Sequence, residues 1–356
     1  MFVGGEFYED SAWVTATPAP PIANAVFLNG GRACLNVISR YLRANNLRRI
    51  LLPSYLCPSI LDVLDQNLIN YTFYQINEDF SIDLDDLLVK AIDHQVIYFI
   101  NYFGFQQKQE IVDVLCAIQT EGKLLIEDNA QAGFRSNNLG DICFNSMRKV
   151  CGFDGGYMAT RNINLTPFID HKYHCNNRLP IIRRYRRQLR SYLFEGNGDR
   201  EALDELFYQA ESFYIPDSVI LGDAEEQRNI ERLDWAAIMA VRRSNYTYLL
   251  GQILDMPGII PVFPALQDEI MPMGMPVYIS GMPRDSLLEL LAEVSISLTV
   301  HWDDLLSDPR TQTSPKVHAM AERILTLPVD QYTSKSQLDY MVDHLTRILS
   351  TCSTSL

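Results

Sequence analysis

An α/β fold is the architecture this sequence predicts, with a large domain on a mostly parallel sheet and a smaller α/β domain at the C-terminal end. Three observations carry that prediction. Short apolar runs of strand length alternate with helix-periodic segments across residues 27–160. The runs are nearly continuous in apolar character, as strands covered by helices on both faces require. A chain of 356 residues is also long enough for one large core and a second, smaller one.

The elements follow in order. Residues 32–43 read as a helix, with Leu35, Ile38 and Leu42 on one face. The apolar run 50–52 stops at Pro53, as a short buried strand would. Residues 71–76 and 96–100 are further strands, 111–118 a helix, and 124–127 another strand. Ligands of such sheets sit beyond the carboxyl ends of the strands, so residues 53–57, 101–104 and 128–131 are the places to inspect. Within 166–200, Arg178, Arg183, Arg184, Arg186, Arg187 and Arg190 form a basic cluster. It reads either as a solvated helix face or as a landing site for an anionic group such as a nucleotide diphosphate. Residues 203–250 look largely helical, and 264–276, rich in Pro and Met, form a loop. A strand at 277–279, a helix at 284–294 and a strand at 296–300 make a βαβ-like block, and a helix at 338–349 follows. The expected domains are therefore 1–250 and 251–356.

Composition removes several function classes. The net charge of −14 leaves no basic surface for generic nucleic-acid binding. No apolar stretch approaches the ~20 residues that span a bilayer, and no basic segment followed by an apolar run marks a leader. The seven cysteines show no CxxC or CxC spacing, and the six histidines form no HExxH-type pair. The expectation is a reduced, cytoplasmic protein without a structural metal.

Two segments carry candidate chemistry. In IEDNAQAGF (126–134), an acidic pair ends a strand and is followed by small and polar residues. Asp128 there reads either as a helix cap or as a desolvated carboxylate able to hold a protonated pyridine nitrogen. In FNSMRKVCGFDGGYM (144–158), Lys149 lies among apolar residues, next to Arg148 and before Gly152, Gly155 and Gly156. It reads either as a surface lysine before a glycine-rich turn or as an amine whose lowered pKa suits imine chemistry.

The two segments together, an Asp followed 21 residues later by a Lys, resemble the pyridoxal 5'-phosphate (PLP) constellation of the aspartate-aminotransferase fold, fold type I. The chain more closely resembles the DegT/DnrJ/StrS-type sugar aminotransferases, in a divergent branch with an SxRKxxGxxDGGY motif. The likeness rests on FLNGGRACL (27–35), LLPSYLCPSI (51–60), NYFG (101–104), IEDNAQAGF (126–134), SMRKVCGFDGGY (146–157), ISLTVHW (296–302) and ILTLPVDQ (324–331). Seven ordered motifs over about 300 residues are far more specific than a lone short pattern.

The resemblance implies PLP as cofactor, Lys149 as the Schiff-base lysine and Asp128 as the partner of the pyridine nitrogen. It places Gln131 at the cofactor's phenolic oxygen and Ser146 at its phosphate. Gly31, Arg32 and Ala33 fall on the turn whose helix N-terminus receives that phosphate. Two departures stand out. Lys149 follows Ser146 at an interval of three positions where five is usual, and Arg32 replaces the usual Thr. Where the family carries its ring-stacking aromatic, this chain has Cys57 and, two residues earlier, Tyr55; Tyr55 is the preferred ring-facing residue and Tyr102 the second candidate. The family's active site lies at a dimer interface, which makes a homodimer the expected state and Tyr214 a phosphate contact from the second chain. His301 and Trp302 match a C-terminal pair that either packs the small domain or touches substrate.

The implied activity is PLP-dependent amino-group transfer, with glutamate or glutamine as donor and a keto sugar, usually nucleotide-linked, as acceptor. Polysaccharide and secondary-metabolite biosynthesis both use such enzymes. A sugar dehydratase with the same cofactor would typically carry His in place of Lys149. A degenerate, non-catalytic member acting as a binding or scaffold protein is the alternative from another class.

Overall fold

The computed structural model describes residues 1–9, 12–15, 17, 22, 24–134, 137–171, 176–213, 220–311 and 314–353. Strands β1 (Val3–Gly4) and β2 (Val26–Leu28) precede helix α1 (Gly31–Ala44). Then come β3 (Arg49–Pro53), α2 (Ser59–Gln66), β4 (Asn70–Tyr74), α3 (Leu84–Ala91), β5 (Val96–Ile100) and α4 (Gln109–Thr120). The first half ends with β6 (Leu124–Asn129), β7 (Ile142–Asn145) and β8 (Gly156–Thr160). Four helices follow: α5 (Arg178–Glu195), α6 (Arg200–Ser212), α7 (Ala224–Glu231) and α8 (Trp235–Ile253). The C-terminal part holds β9 (Ile259–Pro261), β10 (Met275–Ile279), α9 (Arg284–Glu293), β11 (Ile296–Ser297), α10 (Pro315–Arg323), β12 (Ile324–Leu327) and α11 (Lys335–Ser353).

The predicted mostly parallel sheet is present. Its seven strands run in the order β2-β8-β7-β6-β5-β3-β4. The β3–β4, β3–β5, β5–β6 and β6–β7 pairs are parallel, and only the two pairs made by β8 are antiparallel. From β3 the chain winds outward to β4, then returns to β5 and continues the other way through β6 and β7. The crevice between the carboxyl ends of β3 and β5 is thus the switch point where such sheets bind ligands. Each residue of β5 is buried, because helices cover both faces of the sheet.

The C-terminal block departs from the βαβ expectation. Its sheet is a three-stranded antiparallel one, β12-β10-β9. The predicted strand at 296–300 shrinks to β11, which pairs in parallel with β1 from the opposite end of the chain. Beyond it a single bridge joins Thr299 to Thr326, and the chain then turns away at His301. Alternation of Ile296, Leu298 and Val300 signals a half-buried extended segment, but periodicity names no partner. The loop expected at 264–276 ends earlier, since β10 begins at Met275.

The arginine cluster also resolves differently from either sequence reading. Arg178 and Arg186 on α5 are 5% and 6% exposed. Arg178 pairs with Asp154 and, at 2.8 Å, with Glu211; Arg186 reaches Asp154 at 2.8 Å. Arg183 pairs with Asp223 at 2.9 Å and Glu226 at 2.8 Å. Half the cluster therefore ties α5 to α6, α7 and the segment after Lys149. Arg187 and Arg190 stay on the surface.

Candidate active site

The site starts from strand register. Ile100 of β5 lies opposite Asp128 of β6, which lies opposite Phe144 of β7. Side chains two apart share a face, so Tyr98 joins this row. All four line one cleft at the carboxyl edge of the sheet, where such sheets bind their ligands. The adjoining acid, Glu127, points the other way. Its carboxylate accepts from Asn101 Nδ2 at 2.8 Å and from the backbone N–H groups of Leu139 and Gly140 at 2.6 and 2.9 Å. Glu127 thus organises a loop beneath the sheet while Asp128 faces the cleft.

Asp128 is 4% exposed. Burial pushes its carboxyl up to about 6, against the stabilising hydrogen bonds from Tyr98 and the Ala130 N–H. The Tyr98 hydroxyl donates to Oδ2 at 2.5 Å and Ala130 N to Oδ1 at 2.7 Å. A cationic ring nitrogen would repay that desolvation and hold the carboxylate ionised.

Lys149 is placed by the connection from β7 to β8. Its N–H bonds to the Ser146 carbonyl at 3.2 Å in a single tight turn, and Met147 N bonds to Gly155 O at 2.8 Å. Asn145 anchors both sides, donating to Gly133 O at 2.9 Å and accepting from Tyr157 N at 2.7 Å. Gly156 is required there, because a Cβ would run into the Asn145 carbonyl and lie 3.2 Å from Gly30. The amine of Lys149 lines the cleft, and its pKa is lowered by burial and by the neighbouring Arg148.

Gly31 and Arg32 line the cleft at the start of α1, and Ser146, 6% exposed, stands beside them. A Cβ on Gly31 would be 3.6 Å from Ser146 Cβ. Gly30, at φ 111°, caps the helix without a side-chain hydrogen bond, and a helix start of this kind favours an anion. Gln131 also lines the cleft. Its Oε1 accepts from Phe103 N at 2.9 Å, while its buried Nε2 has no protein partner among the described residues. An oriented amide with an unspent donor fits a ligand oxygen. Carboxylate, amine, amide donor and anion-binding helix start together fit PLP.

Not all predicted positions reach the cleft. Ala33 is buried in α1, and Tyr55 is 0% exposed within an aromatic cluster with Phe80, Tyr102 and Trp302. The Tyr55 hydroxyl donates to the His301 carbonyl, and the Tyr102 hydroxyl to the Tyr55 carbonyl, so both rings are spent on packing. After Pro53 the chain turns, and it is Cys57 and Ser59 that line the cleft, with Trp302. Tyr214 lies outside the described residues. Sequence reasoning missed Tyr98, although counting two back from Ile100 along a buried strand finds it. It also undervalued Arg148, which lines the cleft beside Lys149.

A second cavity meets the first at Arg148 and Lys149. Glu6, Ser297, Thr299, His301, Thr326 and Asp330 give it a polar wall. Burial and the nearby Lys149 push His301 down to about 3, so its ring is neutral at pH 7; its Nδ1 lies 3.0 Å from Thr326 Oγ1. Among the described residues no cluster of acidic, His and Cys side chains could hold a metal ion, and no helix is long and apolar enough to cross a membrane.

Neither a protein-family model nor a curated protein matches the sequence. Solved structures do. Spr1654 of Streptococcus pneumoniae, a candidate sugar aminotransferase solved in a PLP-form, superposes with TM-score 0.70 at 16% identity, covering 99% of this chain and 100% of its own. The fold is that of the PLP-dependent aminotransferases of fold type I. The sugar aminotransferase CalS13 of Micromonospora echinospora matches at TM-score 0.64 and 17% identity over 91% of this chain and 87% of its own. DesI, solved in the presence of its TDP-sugar product, matches at TM-score 0.66 and 17% identity over 94% and 84%. This chain's cleft lies at the carboxyl edge of its large sheet.

Proposed function

We propose that this protein is a PLP-dependent aminotransferase that moves an amino group from glutamate or glutamine to a keto sugar, a reading carried by one observation: Lys149, Asp128 and the unspent Gln131 amide line a single cleft. The cofactor, when bound, supplies an electron sink for cleaving the bonds of an amine-bearing carbon. The residues do the rest. Asp128 holds the ring nitrogen as a cation, and Tyr98 fixes the carboxylate's orientation. Gln131 Nε2 donates to the ring oxygen. Ser146 and the start of α1 receive the phosphate. Lys149, its amine pKa lowered by burial and by Arg148, would hold the cofactor covalently and carry a proton to and from the substrate carbon.

The second cavity supports a sugar as acceptor, since hydroxyls and carboxylates along its wall match a polyol's hydrogen-bonding groups. A nucleotide-linked sugar is favoured by the likeness to DesI, whose product is a TDP-sugar. The motif resemblance supports a homodimer with shared sites, while the composition supports a cytoplasmic protein and the sequence pattern residues 1–250 and 251–356 as its two domains.

The test is cofactor capture. Protein loaded with PLP should show the cofactor's visible absorption band, and borohydride should fix the cofactor to the Lys149 peptide, read by mass spectrometry. Lys149→Ala should lose both signals. Unchanged signals in that variant, or no PLP uptake by the unaltered protein, would overturn the reading. Adding glutamate or glutamine should bleach the band, and a nucleotide-linked keto sugar should restore it.

A further inference from the structure

The phosphate end of the cleft carries more positive charge than a helix start and one serine provide. Arg32 and Arg148 both line it, alongside Gly31 and Ser146. Arg148 also pairs with a carboxylate outside the sheet, Glu211 near the end of α6. Arg148 Nη1 lies 3.5 Å from Glu211 Oε1, which accepts a closer bond from Arg178 Nη2 at 2.8 Å. Burial pushes Glu211 up, but Arg148, Arg178 and Arg32 outweigh it and hold the carboxyl below its ordinary range. Arg178 has a second carboxylate partner in Asp154. Arg148 is therefore the looser cation on Glu211, at a distance long for a hydrogen bond, and it faces the cleft.

We propose that Arg148, with Arg32 beside it, is the cation that binds the cofactor's phosphate, and that Glu211 is the counter-ion it exchanges for that phosphate. The proposal rests on the reading of the cleft as a PLP site. Chemistry favours it, because a phosphate monoester is close to a dianion and a planar guanidinium offers it two parallel donors. The sequence shows why it arises in this chain. With only Met147 and Arg148 between Ser146 and Lys149, the turn that presents the lysine also presents an arginine to the same end of the cleft. Arg32 adds a guanidinium at the helix start.

The experiment compares two aldehydes that differ only in the phosphate, PLP and pyridoxal, titrated into the full-length protein and followed by absorbance at equilibrium. Arg148→Ala should weaken PLP binding about tenfold to a hundredfold more than it weakens pyridoxal binding, the effect of removing one charge-assisted bond to the phosphate. Arg148→Lys, which keeps the charge without the fork, should recover part of the loss. Arg148→Gln replaces the alanine variant if thermal melting shows that the latter does not fold. Glu211→Gln should tighten PLP binding and leave pyridoxal as it was. Equal weakening of both aldehydes by the Arg148 substitutions, or no weakening of PLP, overturns the phosphate assignment alone. Weaker PLP binding in Glu211→Gln overturns the exchange. Failure of the unaltered protein to bind either aldehyde overturns the PLP reading and this proposal with it.

Discussion

Glu127 and Asp128 are adjacent acids with opposite duties, and the pleat of a strand separates them. An IED run at a strand end shows that a carboxylate is available, but only the register with β5 and β7 shows which one faces the cleft. The same limit explains Tyr55. Its position in the motif is right for a ring-facing aromatic, yet the turn after Pro53 directs it into the Phe80–Tyr102 cluster. Lys149, Ser146 and Gln131 were legible because short ordered motifs fix them; Tyr98 was not, because its partner lies 30 residues away. Asp128 carries a pH signature in cofactor-free protein. Its folded pKa of about 6 exceeds the ordinary 3.8, so between those values the folded state holds a proton that the unfolded state has released. Stability contributed by this group is therefore present below about 4 and lost as pH rises through 6. Asp128→Asn should be more stable than the unaltered protein at pH 7, on the order of 2–3 kcal/mol, with the difference vanishing near pH 4. Urea melts across that range would show it, and a constant difference would refute the assignment.

At the scale of elements, the β7–turn–β8 hairpin is the part on which the site depends most. Its strands were not predicted individually, because ICFN and GYMAT are short and the glycines between them suggest only a turn. What reads as turn chemistry is a packing demand: β8 must pass close to the Asn145 carbonyl and to Gly30 at the head of α1. One methyl at Gly156 would force both apart. Gly156→Ala should lower unfolding free energy by about 1–3 kcal/mol and weaken PLP uptake together, both read from urea unfolding and cofactor titration of the same preparation. A stability loss with full PLP affinity would place the strain away from the site. The longer elements α1, β5 and α4 were legible because a helix stripe or a fully apolar strand needs no distant partner to be recognised.

Across the whole molecule, the C-terminal part is held to the lysine turn by a buried arginine. Arg242 of α8 is 0% exposed. Its Nη2 donates to Val150 O at 2.9 Å, its Nη1 to Pro272 O at 3.0 Å and Met273 O at 3.1 Å, and its Nε to Gln331 Oε1 at 2.8 Å. Nothing local marks this residue in the sequence; RRS on a helix reads as surface. Arg242→Met should cost about 3 kcal/mol or more, since several buried acceptors lose their donor at once, and the urea midpoint should fall accordingly. A loss under about 1 kcal/mol would mean that the bridge is dispensable.

The pairing of β1 with β11 has a consequence in time. Val3 and its partner Ile296 are separated by nearly 300 residues, so Val3 is made long before the strand it pairs with. Chains emerge from the N-terminal end and fold unit by unit as they do. The large sheet, with Asp128 and Lys149 in place, has all its strands long before β11 exists. Glu6 and its neighbours take up their side of the second cavity only after that late strand arrives. A nascent chain halted before residue 296 therefore has the strands that carry Asp128 and Lys149, but neither the strand that frames the second cavity nor Trp302, which closes the first.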